Sequence, residues 1–143
     1  MTIFDDIGDG FSSVVKAVGS SVISDAAPSP RTIAASLVNN TQQTLTWVDS
    51  GVDHGTRDDH APDTIGPGDT GKWSLKSDGF QTGCEGWMKW RIGDNGPIVR
   101  LDYDNSYVGS NSYSCSVDSA EYTVERQGGT GDFATVKFIV SSN

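Results

Sequence analysis

The side chains able to do chemistry gather in a few places. His54, Asp58, Asp59 and His60 form the densest titratable cluster, in a stretch rich in turn formers. Imidazole and carboxylate together could hold a metal ion, but an acidic loop with two histidines is as readily a solvated turn. Asp102, Asp104, Asn105 and Asn111 offer oxygen ligands for calcium. Their spacing departs from the EF-hand loop, and Asp and Asn in loops commonly bond their own backbone. Neither cluster is expected to be a metal site. The chain has no phosphate loop, no Gly-x-Ser-x-Gly elbow and no His-Glu-x-x-His. No nucleophile–base pair can be nominated, so neither an enzyme nor a bound cofactor is expected. Cys84 and Cys115 lack zinc spacing; they could form one disulfide, or stay buried or unpaired.

The aromatic residues are more informative. Trp87, Tyr103, Tyr107 and Tyr113 fall at or near the ends of expected strands, interleaved with Gly, Ser and Asn. Tyr and Trp join an apolar body to a polar tip, which suits a membrane–water interface and cation–π capture of a quaternary ammonium group. Core packing with a satisfied hydroxyl is the competing reading, and it is the preferred one for Trp90. For Tyr107 and Tyr113, in the polar run from Asp104 to Tyr113, recognition and packing both stay open.

Positioning these residues takes strands. Met88, Trp90 and Ile92 alternate with Trp87, Lys89 and Arg91, and Val136, Phe138 and Val140 alternate with Thr135, Lys137 and Ile139. This period of two predicts half-buried strands. Strands are expected near 32–38, 44–48, 72–75, 87–92, 98–103, 121–125 and 134–141. Asn95-Gly96 and the run Gly128-Gly129-Thr130-Gly131 supply hairpin turns, because they tolerate positive φ. Short strands at this spacing predict an all-β, antiparallel β-sandwich over residues 31–143.

The first 27 residues follow a different rule. Phe4, Ile7, Phe11, Val14, Val15, Val18 and Val22 step by three or four, which predicts one apolar face of an amphipathic helix. Gly8, Gly10 and Gly19 weaken it, so the helix needs an apolar surface to lie on. That surface could be the sandwich, a like helix in a homo-oligomer, or a membrane. Pro28-Ser29-Pro30 ends the helix and forms a short linker.

Composition narrows the partners. The 143 residues carry 19 acids against 10 bases, a net charge of -9. This argues against nucleic acid, whose phosphates demand Lys and Arg, and against purely electrostatic docking on anionic lipid. No apolar run reaches the length of a transmembrane helix. The N-terminus is acidic where a secretory signal would be basic, so a soluble protein without a signal peptide is expected, made in the cytosol and leaving by a non-signal route or on lysis.

Three blocks in register carry a family resemblance: Ser77 to Gly86 before a strand, Leu101 to Tyr113, and Gln127 to Gly131. In order and spacing they resemble the aegerolysins, most closely the small component of bacterial binary insecticidal crystal toxins. The resemblance spans about Ile33 to Val140. It implies an acidic β-sandwich that binds particular membrane lipids, such as sphingomyelin with cholesterol or ceramide phosphoethanolamine, at a target membrane. It also implies a larger pore-forming protein partner; the rival reading is a soluble β-sandwich that binds a protein or glycan with no membrane step. By motif, Tyr107 stands where lipid-binding members place an aromatic after an Asp-x-Pro turn, and Asp104 and Asn105 match the start of that turn. Ser106 replaces the usual proline, which implies a looser turn. The acidic residue that selects the headgroup in sphingomyelin binders aligns with Thr82, with Glu85 only nearby. The expected contact surface is Tyr107 and Tyr113, with Trp87 and Trp47 beside them. A helix ahead of a β-sandwich is also similar to the actinoporins, whose helix inserts into bilayers, although their internal motifs are absent.

Overall fold

The computed structural model describes residues 30–143. The expected helix from Phe4 to Val22, and Pro28 and Ser29 of the linker, lie outside the described residues. The rest forms ten strands: β1 (Thr32–Asn40), β2 (Leu45–His54), β3 (Thr56–Asp59), β4 (Thr64–Ile65), β5 (Thr70–Lys76), β6 (Cys84–Ile92), β7 (Ile98–Asn105), β8 (Ser112–Val117), β9 (Tyr122–Gly128) and β10 (Phe133–Ser142). They make two five-stranded sheets, ordered β3-β5-β1-β10-β9 and β4-β2-β6-β7-β8. The sandwich is all-β as expected. One pairing departs from the antiparallel rule, because β1 runs parallel to β10.

Alternation explains why these segments pair face to face. β6 and β7 alternate buried and half-buried residues along their length, and β1 follows the same rule up to Asn40, which is exposed. Their inward residues interdigitate in a core led by Trp90, Phe138, Ile33, Leu37 and Leu101. Four aromatic rings from both sheets bind the layers: Trp73 lies 6.4 Å from Trp90 and 6.0 Å from Tyr103, and Tyr103 lies 6.5 Å from Phe138. Tilted rings at these separations add favourable quadrupole contacts to the burial of their area.

Both cysteines are free. Cys84 pairs in register with Asn105, whereas Cys115 pairs with Leu101, on the other edge of β7 and further along it. Burial pushes the Cys84 thiol up to about 12, and burial also raises Cys115. Cys84 is fully buried and Cys115 only partly so. Alkylation of the native protein should therefore mark Cys115 first and reach Cys84 only on unfolding. Mass spectrometry of a non-reduced digest tests this, and a Cys84–Cys115 linked peptide would refute it.

Candidate functional site

The loops 77–83, 106–111 and 129–132 meet at one end of the sandwich, beside the start of β1. Arg31 is where they converge. Its backbone N–H donates to the Ser77 hydroxyl at 3.1 Å, and its carbonyl accepts the Ser77 N–H at 2.8 Å. Its guanidinium donates to the Tyr107 carbonyl at 3.1 Å and lies 4.6 Å from the centroid of the Tyr107 ring. The Asp132 carboxylate is 3.5 Å away, and the Arg31 side chain is only 12% exposed. One largely buried residue thus joins all three loops: its cation holds Tyr107 and Asp132 by a hydrogen bond, a cation–π contact and an ion pair, and its backbone holds Ser77.

Asparagine amides complete the brace. Asn105 is buried, and its Nδ2 donates to the carbonyls of Thr32 at 2.9 Å and Asp132 at 2.8 Å. It therefore ties β7 of one sheet to β1 of the other and to the loop that leads into β10. Asn111 Nδ2 donates to the carbonyls of Gly129 at 2.7 Å and Gly131 at 2.9 Å. The Tyr113 hydroxyl donates to the same Gly129 carbonyl at 2.8 Å, and burial pushes its phenol up to about 12. Gly129 has φ 106°, and a side chain there would strike the Tyr113 ring, so glycine is required twice over.

What this rigid end presents is apolar. Phe80, Val108 and Phe133 are 72%, 81% and 55% exposed, and each stands in or beside a different one of the three loops. Phe80 precedes Gln81, a non-glycine residue held at φ 57°. Such a conformation costs on the order of 1 kcal/mol and persists where the surroundings impose it. Thr82 closes this loop through its hydroxyl, which donates to the Gly79 carbonyl at 3.0 Å.

The structure divides the aromatic surface expected from the sequence. Tyr107 stands at the loop end, with its ring against Arg31. Tyr113 is not in a loop: it lies on β8 and packs inward against the core. Asn105 is likewise withdrawn from solvent, because both its N–H bonds are spent between the sheets. Asp104 stays half-buried at the end of β7 and accepts the Ser106 hydroxyl at 3.0 Å. The serine thus braces by side-chain bonding the turn that a proline would stiffen. Trp87 points outward from the middle of β6, and Trp47 lies opposite Trp90, towards the far end of the sheet. From Cys84 to Trp90 is roughly 20 Å of strand, so Trp47 and Tyr107 share no surface. Arg31, Phe80, Val108 and Phe133 were not legible as a group.

The titratable clusters disperse. His54 pairs with Glu85 at 3.0 Å and Lys76 with Asp58 at 3.5 Å. Asp102 takes Arg100 and the Ser114 hydroxyl. Among the described residues no group of three or more His, Cys, Asp or Glu side chains gathers to hold a metal.

Comparison with known proteins settles the family. A family model described as Aegerolysin matches residues 48–143. The chain is an aegerolysin. Its sandwich superposes on the crystal structure of the lipid binding protein Nakanori with a TM-score of 0.72 and 14% identity, covering 78% of this aegerolysin and 71% of that chain. The RahU protein, crystallised in complex with a TRIS molecule, gives a TM-score of 0.67 at 14% identity, over 79% of this chain and 96% of that one. At such identity these two likenesses show the aegerolysin fold alone. No curated protein sequence matches this aegerolysin.

Proposed function

We propose that this aegerolysin binds a membrane lipid surface through the loop end of its sandwich. The observation that carries this reading is the exposure of Phe80, Val108 and Phe133 on three loops locked together by Arg31, Asn105 and Asn111. Rigid loops pay little ordering entropy on docking, and exposed apolar side chains gain by leaving water. The likeness to Nakanori, a lipid binding protein, supports the same reading.

The rim of this end narrows the headgroup. Asp78, Asp104 and Asp132 bring negative charge, while the Arg31 cation is engaged by Asp132 and Tyr107. Such a rim repels anionic lipid and suits a headgroup with an outer ammonium, as in sphingomyelin or ceramide phosphoethanolamine. In this reading the protein acts at a target membrane with a larger pore-forming partner, as the binary-toxin resemblance implies.

Co-sedimentation with vesicles of phosphatidylcholine, sphingomyelin/cholesterol and ceramide phosphoethanolamine tests the proposal. Binding to an ammonium-bearing composition is expected; failure on every composition would overturn it. Raising salt from about 0.1 to about 1 M should leave that binding undiminished, because apolar contact is not screened. A steep loss with salt would instead place the affinity in charge.

A further inference from the structure

The outer face of the β4-β2-β6-β7-β8 sheet carries a second constellation, separate from the loop end and independent of the lipid reading. Register sets Gly51, Trp87, Asp102 and Ser114 in one row across β2, β6, β7 and β8. Gly51 is what makes the row: a side chain there would collide with the Trp87 indole at 2.5–2.9 Å. The ring therefore lies across bare backbone, spanning from β6 to β2.

Its neighbours are held in place before any ligand arrives. Arg100 Cζ lies 4.9 Å and Lys89 Nζ 5.6 Å from the indole centroid. Lys89 and Arg100 are partners in the adjacent row, and both cations reach over the ring. Arg100 is fixed by Asp102 at 3.0 and 3.1 Å, and Asp102 accepts the Ser114 hydroxyl at 3.2 Å. On the other side lies the row of Glu85 and Asp104, partners in the register, with Glu85 oriented by His54 at 3.0 Å. Rows on one face are two residues apart, roughly 7 Å, about the width of a flat ring seated against an aromatic one.

We infer that Trp87 and the carboxylates beside it form a binding site for a neutral saccharide. A pyranose offers a C–H face to stack on an indole and hydroxyls that donate to carboxylates. Trp87 is the row's one large apolar group, with no apolar neighbour in either adjacent row on β6 and β7, so no contiguous apolar centre surrounds it there; the exposed Trp47 and Val48 of β2 stand towards the far end of the sheet. Mixed charge disfavours burial in lipid, and the local excess of carboxylates disfavours an anion. What remains is an uncharged ligand rich in donors.

The test is a titration of the full 15N-labelled protein with methyl glycosides of galactose, glucose, mannose, N-acetylgalactosamine and N-acetylglucosamine. At least one should shift the Trp87 indole N–H resonance. Its affinity should fall roughly tenfold or more in Trp87→Ala, and similarly in Gly51→Ala, where the indole is displaced. Trp87→Phe, which keeps a smaller ring in an outward position, should retain part of the binding and guards against misfolding of the alanine variant. The inference is overturned if no glycoside moves the Trp87 resonance, if the shifts fall on Phe80 and Val108 instead, or if Trp87→Ala binds like the wild type.

Discussion

Replacing Phe80, Val108 and Phe133 together with serine should abolish vesicle binding while leaving the melting temperature unchanged. All three side chains are exposed, so the folded state gains little from them. At the membrane each transfers much of its area out of water, and a fully buried Phe or Val is worth about 1.5–3 kcal/mol. Incomplete insertion of three such groups still amounts to about 4 kcal/mol, roughly a thousand-fold in affinity. Single replacements should each weaken binding about tenfold. Co-sedimentation on the composition that the wild type prefers measures the effect. A triple variant that sediments like the wild type would move the contact surface elsewhere.

Asn105→Asp should be among the most destabilising single-atom exchanges available to this chain. The amide nitrogen faces two carbonyl oxygens at 2.8 and 2.9 Å, one from Asp132 just ahead of β10 and one from Thr32 of β1 in the opposite sheet. A carboxylate there turns two attractions into two repulsions and buries a charge with no donor from Thr32 or Asp132. Leaving a buried charge uncompensated costs about 3–5 kcal/mol, and a domain of this size loses about 10–20 °C in melting temperature as a result. Because the group is a carboxylic acid, the loss should shrink as pH falls and the side chain takes up a proton. Thermal melts at neutral and mildly acidic pH test both parts. Asn105→Asp melting like the wild type would show that the brace contributes nothing.

The sandwich was legible because its central strands obey a simple alternation. Met88, Trp90 and Ile92 of β6 and Val136, Phe138 and Val140 of β10 take every second position, and no helix period competes with that pattern. The sequence was quieter at the edges. β3 is Thr-Arg-Asp-Asp, an edge strand with no apolar face, so its pairing with β5 left no hydrophobic trace. β8 does alternate, as Ser-Tyr-Ser-Cys-Ser-Val, but serine fills every outward position and the polar company of this segment suggested a loop. That misplaced Tyr113, whose role is to cap the 129–132 loop. Of the candidate site, the sequence singled out Tyr107, Asp104, Asn105 and Asn111, but not the bracing role of the two asparagines. Phe80 and Val108 carry no spacing signal, since a lone apolar residue in a polar run reads the same whether it points in or out. Only the fold shows that they point out together. Arg31 was missed because its three partners lie far along the chain and meet it only when both sheets have formed.

The parallel pairing of β1 with β10 bears on how the chain is made. During synthesis β6, β7 and β8 can zip together as a meander soon after they emerge, and β5 can cover one side of β1. The other side of β1 must wait for the last described strand, so until then a row of unpaired backbone groups stands open and Tyr103 lacks its Phe138 partner. Closure over such long sequence separation is slow, and an open edge is a template for neighbouring chains. Nascent chains crowded on one message are therefore most vulnerable to mispairing in the interval before β10 clears the ribosome, and yield in expression should respond to temperature and chaperone supply more than to surface substitutions.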